Sequence, residues 1–303
     1  MNQNWDENSI PSQNGKRILI TGATSGLGAQ AAKVLLSKGA QITVAVRSPQ
    51  KMAKTFSQEQ LAQIKVLQVD VSLISSVQKT FENYNGEFET VICNAGIMAT
   101  PFEKTTEGIE MQFATNHLGH FELIKLLNTQ IKERVVTVAS LAHQIGSFGN
   151  GSVSSIEKKI KGEASYTRWG YYGSTKLANL LFTLELNLRA EKYGFPYRAF
   201  SSHPGYTKTN LGYARKELNQ KFIRDKFFRA ADPFFGQKIE IGTLPILYAA
   251  TYPDLPANSY IGPSDFFEFK GYPKIVHSNK NANNKVLANS LWIASENLIN
   301  QIK

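Results

Sequence analysis

A chain of 303 residues that is 42% hydrophobic and 19% charged carries enough apolar material for one large core, and it has no run of 18 apolar residues such as a membrane-spanning helix needs. The polar first stretch lacks the apolar segment of a secretory signal, and one cysteine, Cys93, excludes an internal disulfide; both features suit a reducing, cytoplasmic setting. The net charge of +10 keeps anionic partners in view: nucleic acid, a lipid surface or a phosphorylated small molecule.

Residues 1–15 read as a mobile polar tail. Short β-branched runs then alternate with stretches of helical period. Strands are expected at 17–21 (RILIT), 41–47 (QITVAVR), 64–70 (IKVLQVD), 89–94 (ETVICN), 134–140 (RVVTVAS) and in YRAFSSHPG, with a short one near SYIG. Helices are expected from Gly26 to Gly39, after Asp70, over 106–130, over 170–192, around 239–250 and near the C-terminus. Strand alternating with helix implies right-handed crossovers and a parallel sheet covered on both faces. The expectation is an α/β fold, a single Rossmann-type doubly wound domain over 16–303, with a substrate lid at about 206–238.

The first strand runs into TGATSGLG, where Gly22, Gly26 and Gly28 let the backbone turn tightly beside a pyrophosphate at a helix N-terminus. The second strand ends in VAVRSPQK, with no acid from Gln41 to Lys54. A carboxylate there would hold the ribose 2′-hydroxyl of NAD, whereas the fork of Arg47 suits a 2′-phosphate, so NADP(H) is favoured over NAD(H). In GYYGSTK, a helix sets residues four apart about 40° from alignment and residues five apart about 140° away. Tyr172 therefore shares a face with Lys176 and Tyr171 does not. A neighbouring ammonium lowers a phenol toward useful acid-base range. Ser140 ends the fifth strand, where ligands bind in open α/β sheets.

The glycine turn, NAG at 94–96, Asn116 in NHLGHF, Ser140, Tyr172 and Lys176, and HPGYTKT at 203–209 stand in the order and spacing of the short-chain dehydrogenase/reductases, and the chain resembles that family over roughly 16–300. SLAH (140–143) and KLANLLFTLEL (176–186) are similar to its retinol dehydrogenase branch. The resemblance implies a coenzyme bound along Gly22, Thr24, Ser25, Gly26, Leu27, Gly28, Arg47, Asp70, Val71, Asn94, Ala95, Gly96, Pro204, Gly205 and Thr207, together with Tyr172 and Lys176. It implies Tyr172 as general acid and base, Ser140 orienting the substrate carbonyl, and Asn116 holding a water that relays protons to Lys176. Lys176 would bind the ribose hydroxyls and lower the tyrosine pKa. Homo-oligomers, common in the family, would form through the helices at 106–130 and 170–192.

His117 and His120 have a spacing that metals use, but no third ligand is recognisable, so no metal is expected. His203 reads as a brace for the Pro-Gly turn. Phe222, Ile223, Phe227, Phe228, Phe234 and Phe235 would wall a lipophilic substrate pocket, pack against the core or dip into a membrane surface; no nucleic-acid module is recognisable. The expected function is NADP(H)-dependent interconversion of a carbonyl and an alcohol. The alternatives are an NAD(H)-dependent alcohol dehydrogenase and a non-catalytic NADPH-binding redox sensor.

Overall fold

The computed structural model describes residues 4–207 and 236–302. Among them eight strands form one sheet in the order β3-β2-β1-β4-β5-β6-β7-β8. The strands are β1 (Arg17–Thr21), β2 (Gln41–Val46), β3 (Ile64–Gln68), β4 (Phe88–Cys93), β5 (Ile131–Val138), β6 (Arg198–Ser202), β7 (Tyr260–Asp265) and β8 (Lys270–Ile275). All neighbours run parallel except β7 and β8. The order reverses between β1 and β4, the switch point at which open α/β sheets bind ligands. This is the doubly wound Rossmann-type architecture.

The helices are α1 (Gly26–Ser37), α2 (Gln58–Gln63), α3 (Ile74–Phe81), α4 (Met111–Phe113), α5 (Gly119–Leu127), α6 (Val153–Ile160), α7 (Arg168–Tyr193), α8 (Ile239–Thr251) and α9 (Lys285–Ile302). Two cores follow. One face of the sheet buries Leu35 of α1 and Leu247 of α8. The other buries Phe121, Leu181, Phe182 and Leu298 of α5, α7 and α9.

Several expectations differ from what is seen. The helix expected over 106–130 begins only at Met111, because Gly108 adopts φ 81° and closes a turn from Thr105. A π-helical turn, Ala114–Leu118, then joins α4 to α5. The tail expected to be mobile is packed: Ile10 is buried, Trp5 meets the Tyr248 ring edge-on at 4.9 Å, and Gln13 N–H donates to the Lys38 carbonyl. Residues 208–235, which include most of the expected lid and its phenylalanines, lie outside the described residues.

Helix α9 lies across the surface of α5 and α7, with Trp292 packed edge-on to Phe121 at 4.7 Å and Arg189 stacked 3.9 Å over the Trp292 ring.

Candidate active site

At the switch point, Gly22 and Gly26 take φ of 70° and 64°, conformations that favour glycine. A Cβ on Gly22 would meet the Ala95 Cα at 2.7 Å, and one on Gly28 would collide with the Asn94 amide. The turn is thus pressed against the Asn94–Gly96 backbone. Ser25 precedes α1 and makes no side-chain cap, so the first-turn N–H groups of a twelve-residue helix remain available for an anion. Thr24 is tied through its carbonyl to the Thr55 hydroxyl, while Leu27 is buried.

Thr21, which sequence reasoning passed over, organises this corner. Its hydroxyl oxygen accepts from the N–H groups of Asn94 (3.0 Å) and Ala95 (2.9 Å). The Asn94 amide donates in turn to the carbonyls of Thr21 and Gly22. A Cβ on Gly96 would lie 3.1 Å from Asn116 Oδ1 and 3.7 Å from Lys176 Nζ, so the absent side chain leaves a cradle lined by both.

Beyond β2 and β3, Arg47 Nη1 stands 3.8 Å from Asp70 Oδ2, with the guanidinium largely exposed. Asp70 Oδ1 is held by the N–H and hydroxyl of Ser72. The Val71 carbonyl abuts Gly119 so closely that no Cβ would fit there.

The fifth strand delivers Ser140 in an extended conformation, capping a short 3-10 turn, Leu141–Ile145, by accepting from Ala142 N–H. Helix α7 delivers Tyr172 and Lys176 from one face. The Ser140 hydroxyl lies close enough to the Tyr172 phenol to favour its phenolate, and Lys176 Nζ lies 5.5 Å from the Tyr172 ring centre. Tyr171 points elsewhere: its hydroxyl donates to the Ala164 carbonyl and its ring packs edge-on to Phe113.

Burial pushes the Tyr172 phenol up to about 12, opposed by the neighbouring Ser140 hydroxyl. Lys176 Nζ donates to the Val138 carbonyl at 2.8 Å, and burial pushes the lysine down to about 8, so that it is still mostly an ammonium at pH 7.

Asn116 sits in the π turn and spends its side chain on structure. Its Oδ1 accepts from Ile97 N–H, and its Nδ2 donates to the Ile97 carbonyl and the Thr175 hydroxyl. Its main-chain carbonyl is met by the His120 ring. On the far side, His203 Nδ1 accepts from Gly205 N–H while Nε2 donates to Glu268. Gly205 has φ 61° and backs onto the Phe269 carbonyl. Thr207 donates its hydroxyl proton to the Pro204 carbonyl at 2.6 Å, leaving its oxygen as an acceptor.

His143 was quoted in the sequence only as part of a motif. Its Nδ1 donates to the Ser140 carbonyl at 2.7 Å, and Asn279 N–H donates to its Nε2. The SLAH spacing carried that signal; Asn279, some 136 residues away, could not be read from it.

The open helix N-terminus, the glycine turn and the cradle at Gly96 together fit a nicotinamide dinucleotide: diphosphate at α1, ribose near Lys176. No group of three or more His, Cys, Asp or Glu side chains with metal-binding geometry occurs among the described residues.

Comparison with known proteins agrees with this geometry. The short chain dehydrogenase model matches residues 16–220. A mouse protein named retinol dehydrogenase 12 is 32% identical over 94% of this chain and 86% of its own. The Brassica napus chloroplastic short-chain dehydrogenase TIC 32 B is 34% identical over 78% of this chain and 76% of its own. Among solved structures, an uncharacterized protein from Mycobacterium paratuberculosis is 36% identical, superposes with a TM-score of 0.80 and covers 98% of each chain.

Proposed function

Because the chain belongs to the short-chain dehydrogenase/reductase family of oxidoreductases, we propose that it interconverts a carbonyl and an alcohol on a lipophilic small molecule with NADP(H). The observation that carries this reading is the row Ser140, Tyr172, Lys176 beside the cradle at Gly96.

When bound, the nicotinamide supplies or takes up hydride. The protein handles the proton and the substrate. Ser140 holds the carbonyl oxygen, and Tyr172 gives its phenolic proton to that oxygen as charge develops there. A phenol held near 12 is protonated throughout the neutral range, the state that donation requires. Lys176, buried beside it, stabilises the phenolate left behind. The exposed Arg47 guanidinium and the lack of an acid at the end of β2 support a 2′-phosphate. Lipophilicity is supported by the relatives named for retinol and by Phe266, Phe267 and Phe269, which are exposed at the β7–β8 hairpin that backs Gly205.

The test is titration of the purified protein with NADPH and NADH, then a carbonyl panel on wild type and Tyr172→Phe. NADPH should bind the more tightly. The variant should lose at least about 100-fold in turnover while keeping its NADPH affinity. A stronger affinity for NADH would overturn the coenzyme assignment, and undiminished turnover by the variant would overturn the role of Tyr172.

A further inference from the structure

His120 has no part in the chemistry above, yet both of its ring nitrogens are engaged and the side chain is 1% exposed. Its partners dictate its tautomer. Nδ1 lies 3.3 Å from the Asn116 carbonyl, which can only accept, so Nδ1 carries the hydrogen. In a neutral ring Nε2 then accepts, and the group 2.8 Å away is the Thr21 hydroxyl, which donates to it.

That bond consumes the single hydroxyl proton of Thr21 and directs the lone pairs of its oxygen at Asn94 N–H and Ala95 N–H. The other acceptor near that hydroxyl is the Ile92 carbonyl at 3.5 Å, at the limit of a hydrogen bond. Resting on the reading of the site as a coenzyme-dependent reductase, we propose that His120 is a positioning residue. Its imidazole ties the end of β1 to the π turn carrying Asn116 and holds the Asn94–Gly96 turn in the form that receives the coenzyme.

The arrangement needs a neutral ring, since a protonated Nε2 would push the Thr21 hydrogen away. Burial, with the nearby Lys176 ammonium, keeps the ring neutral by holding its pKa down to about 4. No solvent replaces a bond lost in so buried a place, so the freed donor or acceptor stays unmet.

Three measurements on the full chain test this. His120→Leu should weaken NADPH binding, read by fluorescence titration, about tenfold. It should raise the coenzyme KM more than it lowers kcat. His120→Gln, whose amide can still accept from Thr21, should restore NADPH affinity to within about threefold of wild type. A leucine variant that binds NADPH as wild type does, or a glutamine variant no better than leucine, would show that His120 only fills space. Histidine-selective ¹⁵N NMR of the wild type, which needs no variant to fold, should show Nδ1–H and a bare Nε2 at pH 7. An Nε2–H tautomer would overturn the proposal. Titration and NMR require no substrate, so failure to reduce any carbonyl would count against the reductase reading and not against this one.

Discussion

Lys176 is a cation buried with no carboxylate partner among the described residues. Burial lowers its pKa from 10.5 to about 8, so the folded state below pH 8 carries a penalty of about 3 kcal/mol that the unfolded chain does not. The sign follows from proton counting. Between pH 8 and 10.5 the unfolded chain holds a proton at this lysine and the folded chain does not, so this contribution to stability rises with pH and levels off above 10.5. Lys176→Met should therefore unfold at higher urea than wild type at pH 7, by about 2 kcal/mol once the lost bond to Val138 is allowed for, while losing turnover. The advantage should shrink by pH 10; a variant less stable at pH 7 would contradict this account. How far such details are legible in sequence varies with their range. Helical phase alone separates Tyr172 from Tyr171. Spacing does not report depth, and depth raises the Tyr172 phenol despite the lysine one turn away. The roles of Thr21, His120 and His143 depend on partners brought close only by the fold.

At the scale of elements, α9 explains why α7 can be buried on nearly every side. Trp292 and Leu298 cover the face that α5 and α7 would otherwise show to solvent, and His117 of the π turn bonds Ser295 at 3.0 Å. Trp292→Ala should cost about 3 kcal/mol or more, measured by chemical denaturation. The N-terminal segment is held by the same kind of contact, and Ile10→Ala should cost about 2 kcal/mol, whereas a mobile tail would tolerate the change freely. Periodicity located α9 and said nothing of what it covers, while polar composition made the N-terminal segment read as a mobile tail. The strand β8 went unread because a lysine-rich edge composition, with Lys270, Pro273 and Lys274, lacks the apolar alternation of a half-buried strand; such residues instead protect a sheet edge from pairing. The parallel strands β1, β2, β4, β5 and β6 were legible because most of each is a short apolar run buried on both faces, whereas β3 at the sheet edge is largely exposed.

For the molecule as a whole, its buried histidines set an acid limit. Burial holds His117 down to about 3 and His120 to about 4, against an ordinary value near 6.5. Their stabilising effect is therefore complete above pH 6.5 and is lost as the pH falls toward 4, because the unfolded chain takes up protons that the folded chain refuses. Each should remove about 2–3 kcal/mol by pH 4.5. The melting temperature should drop steeply between pH 6.5 and 4.5; a flat profile there would mean that the rings are less buried than described. The charge of +10 adds self-repulsion that grows over the same interval.

The helix that carries Tyr172 and Lys176 is walled by the sheet on one side and by the chain's own C-terminus on the other. A change that loosens α9 should therefore reach the catalytic row from behind: Trp292→Ala should lower turnover as well as stability, and a destabilised variant that turns over as wild type does would contradict this.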